Sequence, residues 1–117
     1  MTPVRLVIVD NDASALELID LDLALEGHDI VGRASQGEDA VEVVASTQPD
    51  VVVVDYRMPP GIDGMEVARR IRRRWPAIRV LLYTNYFRAE LVRESERIGA
   101  IFLRKGDLGA LRRAVNG

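Results

Sequence analysis

The chain has 117 residues, of which 16 are basic and 18 acidic, for a formal net charge of −2. That length suits one domain able to bury about two-thirds of its unfolded surface without cross-links, and the near-balanced charge points to neither a nucleic-acid nor a membrane partner. With no cysteine, disulfides and thiolate metal sites are excluded; with no long apolar run and no signal-peptide pattern, the expected location is cytoplasmic.

Leu6-Val7-Ile8-Val9 reads as a first buried strand and runs into Asp10-Asn11-Asp12. Ser14 and Glu17 have capping-box spacing, and Leu16, Ile19 and Leu23 repeat at helical intervals until Gly27. Ile30-Val31 centre a weaker second strand. A second helix is expected from about Gln36, with Val41, Val44 and Ala45 facing inward, and Pro49 ends it. Val51-Val52-Val53-Val54 is apolar at every position, which suits a strand buried on both faces of a parallel sheet. It ends in Asp55, and a Pro59-Pro60-Gly61 turn follows. Asp63 and Glu66 repeat the capping spacing before a third helix whose apolar side is Met65, Ala68, Ile71 and Trp75, stopped by Pro76. Val80-Leu81-Leu82-Tyr83 is a fourth strand, ending in Thr84-Asn85. Leu91, Ser95 and Ile98 mark a fourth helix that Gly99 stops. Ile101-Phe102-Leu103 is the fifth strand, ending near Arg104-Lys105. Asp107 caps a last helix carrying Leu108, Leu111 and Val115.

This fivefold strand–helix alternation predicts an α/β fold, a (βα)5 doubly wound parallel sheet with flavodoxin-like strand order 2-1-3-4-5, as one domain over residues 1–117. In such a sheet all carboxyl ends share one edge. Asp10-Asn11-Asp12, Asp55, Thr84 and Lys105 then converge from distant segments. Two carboxylates ~6 Å apart at an effective dielectric of ~20 repel by roughly 3 kcal/mol. One lysine does not offset several such pairs, so a divalent cation is implied, and an all-oxygen ligand set favours Mg2+. Carboxylate, Mg2+, hydroxyl and lysine are together what phosphoryl transfer to an aspartate requires.

Val9-Asp10-Asn11, Val54-Asp55-Tyr56-Arg57-Met58-Pro59 with Asp63-Gly64, Tyr83-Thr84, and Gly99-Ala100 with Phe102 and Lys105 stand in an order that resembles a response-regulator receiver domain over nearly the full length. The resemblance implies a stoichiometric phosphoacceptor of two-component signalling rather than an enzyme. Asp55 would be the phosphoacceptor. Asp10, Asn11, Asp55 and the Arg57 backbone carbonyl would form the Mg2+ pocket, with Asp12 as a further source of charge. Thr84 and Lys105 would bind the phosphoryl group, and Thr84 and Phe102 would act as the switch. The implied partners are a sensor histidine kinase or phosphotransfer protein and either an effector partner or an output domain missing from this sequence; a homodimer is a further option.

Four departures from that family are visible. Asn11 stands where a second acid is usual, which predicts weaker metal binding. The Met58–Gly64 loop is one residue longer, with Gly61 expected to absorb the insertion. The Gly99–Lys105 segment is one residue shorter, and the last helix is expected to span about two turns. Two other functions compete. One is a receiver-like interaction module that works without phosphorylation, motivated by Asn11. The other is a haloacid-dehalogenase-type phosphatase with Asp10 as nucleophile, which the absence of an acidic pair after Lys105 argues against. The Arg69-Arg70-Arg72-Arg73-Arg74 run reads as a solvated helix face, and His28 as a surface residue. Tyr83, Tyr86 and Phe87 suit partner contact and packing equally.

Overall fold

The computed structural model describes residues 2–117. β1 (Arg5–Val9) leads to α1 (Ala13–Leu25), and β2 (Asp29–Ala34) to α2 (Gly37–Thr47). β3 (Val51–Val54) leads to α3 (Gly64–Arg74), β4 (Arg79–Thr84) to α4 (Ala89–Ile98), and β5 (Ile101–Arg104) to α5 (Leu108–Asn116). The strands form one parallel sheet in the order β2-β1-β3-β4-β5, as the alternation predicts.

β3 is central because both of its faces are covered. Val52 and Val54 pack with Val44 of α2 and with Met65, Ala68 and Ile71 of α3. Val51 and Val53 pack with Ile19 and Leu23 of α1 and with Leu111 and Val115 of α5. All four valines are at most 1% exposed. At roughly 1.5–3 kcal/mol for each fully buried valine, this strand anchors both cores. α2 turns its inner face by a residue from the expectation: Ala40 and Val44 are buried, Val41 is half-buried and Ala45 is exposed.

The helix starts follow local chemistry. Asp63 caps α3 by accepting the Glu66 N–H at 2.9 Å, and Asp107 caps α5 by accepting the Ala110 N–H at 2.9 Å. At α1 the cap is Asp12, whose Oδ1 accepts the Ser14 and Ala15 N–H groups at 3.0 and 3.4 Å. Ser14 is therefore not the cap, because the chain turns out of β1 two residues earlier than the Ser14/Glu17 spacing implied.

Arginines serve the opposite, amino-terminal edge of the sheet. Arg5 donates to the Thr47 and Gln48 carbonyls at the end of α2, at 2.9 and 2.7 Å. Arg79 donates to the Ala114 and Val115 carbonyls of α5, at 2.5 and 2.6 Å. A guanidinium there supplies donors that the last turn of a helix lacks. Within the basic run, Arg69 and Arg70 pair with Glu66, and Arg72 donates to the Pro76 and Ile78 carbonyls. His28 is not on the surface. It is 7% exposed, and its Nδ1 accepts the Val4 N–H at 3.0 Å. No described helix is long and apolar enough to cross a membrane.

Candidate functional site

At the carboxyl edge of the sheet, Asp10 follows β1, Asp55 follows β3, Thr84 ends β4 and Lys105 follows β5. The Lys105 ammonium lies 2.6 Å from Asp10 Oδ2 and 3.0 Å from Asp55 Oδ2. Each carboxylate keeps one oxygen on the backbone: Asp10 Oδ1 accepts the Asp12 N–H at 2.9 Å and Asp55 Oδ1 the Tyr56 N–H at 2.7 Å. Both side chains are thereby oriented, with their remaining oxygens turned toward the lysine. Thr84 is 2% exposed. Its Oγ1 accepts the Tyr86 N–H at 3.1 Å, which leaves its own O–H available to donate.

The charges are unequal in burial. Asp10 is 1% exposed, and burial pushes its carboxyl above the ordinary value against the opposing pull of Lys105 and the Asp12 N–H. Burial disfavours the Lys105 charge too, but Asp10 and Asp55 outweigh it and hold the ammonium above its usual value. Two carboxylates and one ammonium leave the cluster with an excess of negative charge.

Asn11, Asp12, Asp55, Arg57, Thr84 and Lys105 line one open pocket. Among the described residues, no three His, Cys, Asp or Glu side chains gather in a way that holds a metal. Asp12 gives Oδ1 to the start of α1, and Asn11 brings no charge. Asp10 Oδ2 lies against the Lys105 ammonium and faces the second carboxylate across that lysine. Two carboxylates with an amide and a backbone carbonyl nearby suit Mg2+, which commonly takes one or two carboxylates and completes its shell with water and phosphate. The residues fit that ion, with two formal charges to hold it.

Phe102 lies outside this pocket. It sits on β5 opposite Leu82, with its ring edge-on to Phe87 at 5.7 Å between centroids. Three features of the site have little sequence signature. Tyr56 stacks on Tyr86 at 5.2 Å beside the pocket, and the Arg57 guanidinium sits 4.2 Å from the centre of the Tyr86 ring. Gly64 donates to the Tyr56 carbonyl at 2.7 Å, so close that a Cβ there would stand 1.9 Å from the Asp55 carbonyl oxygen. The Tyr83 hydroxyl accepts the Gly106 N–H at 2.8 Å; an aromatic residue just before a strand-end threonine is the only hint of it in the sequence.

Comparison with known proteins extends over nearly the whole chain. The response regulator receiver domain family matches residues 6–116. Sporulation initiation phosphotransferase F of Bacillus subtilis is 30% identical over 113 residues, covering 95% of this chain and 90% of that protein. The response regulator MprA of Mycolicibacterium vanbaalenii is 37% identical over 82 residues, 70% of this chain but 35% of that longer protein. Among solved structures, the signal receiver domain of NarL from Mycobacterium tuberculosis superposes with a TM-score of 0.87 at 32% identity, covering 100% and 99% of the two chains. A chain of the CheX–CheY–BeF3–Mg2+ complex of Borrelia burgdorferi gives 0.89 at 25% identity, covering 97% and 88%. A sheet of order 2-1-3-4-5, an acid–lysine cluster at its carboxyl edge and a match from Leu6 to Asn116 agree: the chain belongs to the receiver-domain family of two-component response regulators.

Proposed function

We propose that this chain accepts a phosphoryl group on Asp55 from a phosphohistidine of a sensor kinase or phosphotransfer protein, and then changes conformation to control a partner. The observation that carries the reading is the Lys105 ammonium held within 3.0 Å of Asp55 and 2.6 Å of Asp10. An Asp55 oxygen attacks phosphorus as the bond to the donor nitrogen breaks. Lys105 moves with the equatorial oxygens, and the free Thr84 O–H donates to the acyl phosphate. Mg2+, when held by Asp10, Asp55, the Asn11 amide oxygen and the Arg57 backbone carbonyl, supplies positive charge to the phosphoryl oxygens. Phe102 is the switch residue that follows Thr84. The protein acts stoichiometrically, in the cytoplasm, and its output runs through an effector partner or an attached domain.

Support for a protein donor comes from α1. Leu18, Leu21 and Leu25 are 54%, 60% and 77% exposed and lie on one side of the helix at helical spacing. Leu18 also borders a cavity shared with Asp12, Asn85 and Lys105, three residues that line the Asp55 pocket as well. An exposed apolar stripe continuous with a reactive pocket suits a helical donor surface.

Incubation with acetyl phosphate and Mg2+, followed by intact mass, tests the reading. One added phosphoryl group is expected, lost in Asp55→Asn and kept in Asp10→Asn; label that survives Asp55→Asn overturns it. The pairing of Asn11 with an Asp12 engaged at α1 favours, as the second reading, an interaction module that works without phosphorylation. Absence of label, with no response to beryllium fluoride and Mg2+, would select it. The phosphatase reading needs Asp10 as an accessible nucleophile, yet that residue is 1% exposed; steady, Asp10-dependent turnover of an aryl phosphate would revive it.

A further inference from the structure

Successive residues of β4 face opposite sides of the sheet. Thr84 lines the Asp55 pocket, while Tyr83, 2% exposed, packs on the other side with Ile19, Leu23 and Leu111. From that side the Tyr83 hydroxyl reaches the loop after β5 and takes the Gly106 N–H at 2.8 Å.

Every backbone donor of this loop has an acceptor. Lys105 N–H bonds the Thr84 carbonyl at 3.0 Å and Asp107 N–H the Arg104 carbonyl at 3.3 Å, with the Gly106 N–H on Tyr83 between them. The Lys105 bond continues the β4–β5 ladder by one residue beyond its last paired positions, Thr84 and Arg104. At Gly106, where φ is +97°, the chain turns away toward α5 and no β4 carbonyl takes the next N–H. A side-chain oxygen from Tyr83 does so instead. Two adjacent β4 residues therefore grip the two peptide N–H groups on either side of the Lys105 Cα, Thr84 through its main-chain carbonyl within the sheet and Tyr83 through its side chain from the face opposite the pocket. The Lys105 side chain is long and rotatable, so its aim at two carboxylates depends on the backbone from which it starts.

We propose that Tyr83 is a positioning residue whose hydroxyl fixes the Lys105–Gly106 peptide and so aims the Lys105 ammonium at Asp10 and Asp55. The geometric claim stands by itself; its kinetic consequence rests on the phosphoacceptor reading. Tyr83→Phe keeps the ring in the core and removes only the acceptor. Lys105 is the single lysine of the chain, so lysine labelled with 13C at Cε gives one side-chain NMR signal to follow. In the variant that signal is expected to move toward the free-lysine position, and the Gly106 amide to exchange with solvent about tenfold faster. Labelling by saturating acetyl phosphate with Mg2+ is expected to slow by about three- to tenfold. A Tyr83→Phe protein with an unchanged Lys105 signal overturns the proposal, even if its melting temperature falls. So does a wild-type Gly106 amide that exchanges without protection, a measurement that needs no variant. Wild-type protein that takes no label overturns the phosphoacceptor reading instead and leaves the Lys105 signal as the test of Tyr83.

Discussion

Asn11 sets the charge of the pocket, because its amide lines it and the next acid, Asp12, is engaged at α1. Asn11→Asp is expected to tighten Mg2+ by about tenfold, equivalent to ~1.4 kcal/mol, in a calorimetric titration; unchanged affinity would show that Asp12 already charges the site. Asp10 carries a pH signature. Burial holds its folded value above the ordinary carboxylate value, so between the two the folded protein holds more protons than the unfolded chain. Stability accordingly falls as pH rises through that window. Asp10→Asn removes this dependence. Its stability relative to wild type, by urea unfolding, should therefore be greater at pH 7 than at pH 3. The chemistry-bearing residues were legible because each stands where an apolar run stops, and the alternation sends all those stops to one edge. The role of Asp12 was not legible. Both Asp12 and Ser14 suit a helix start, and the choice fell to the turn in which Asp10 accepts the Asp12 N–H. His28 was misread for a related reason: its partner, the Val4 N–H, is 24 residues away.

At the scale of elements, α3 begins hard against the backbone that leaves β3, at Gly64. A Cβ at Gly64 would meet the Asp55 carbonyl oxygen at 1.9 Å and Tyr56 Cα at 3.0 Å, both backbone atoms. Gly64→Ala is therefore expected to cost about 3 kcal/mol or more by urea unfolding, since neither neighbour can swing aside. At Gly27 a Cβ meets nothing within 4 Å, but φ is +90°, so alanine there should cost only about 1 kcal/mol. A reversed order would undo this account of the β3–α3 junction. The strands and helices themselves were readable from apolar runs and from helical spacing. The inner face of α2 was not, because its composition permits two adjacent faces, and the choice falls to packing. Val43 of α2 leans so close to Gly32 of β2 that a Cβ there would stand 2.4 Å from its Cγ1. That approach turns Ala40 inward and Ala45 out. Asp63 caps α3 as its spacing predicts, and the longer loop before it lies against α2, where the Ile62 N–H reaches the Glu38 carboxylate at 3.2 Å.

Across the whole molecule the charges are sorted by edge. Asp10, Asp55 and the single lysine meet at the carboxyl ends of the strands, while Arg5 and Arg79 close helix ends at the amino edge. The exposed leucine stripe of α1 begins beside the first group. Replacing Leu18, Leu21 and Leu25 together by serine should leave the melting temperature nearly unchanged, as those side chains are mostly exposed. It should slow phosphotransfer from a histidine-phosphorylated protein by about fivefold or more while sparing acetyl phosphate; equal slowing with both donors would place the effect in the pocket. The grip of Arg79 on Ala114 and Val115 has a practical side as well. It holds the last turn of α5 at the edge where β1 also begins, so both ends of the described chain lie away from Asp55. A fluorophore, affinity handle or surface tether joined at either end would leave the Asp55 pocket facing open solution. Kinetics recorded on immobilised protein should then match those of the free chain.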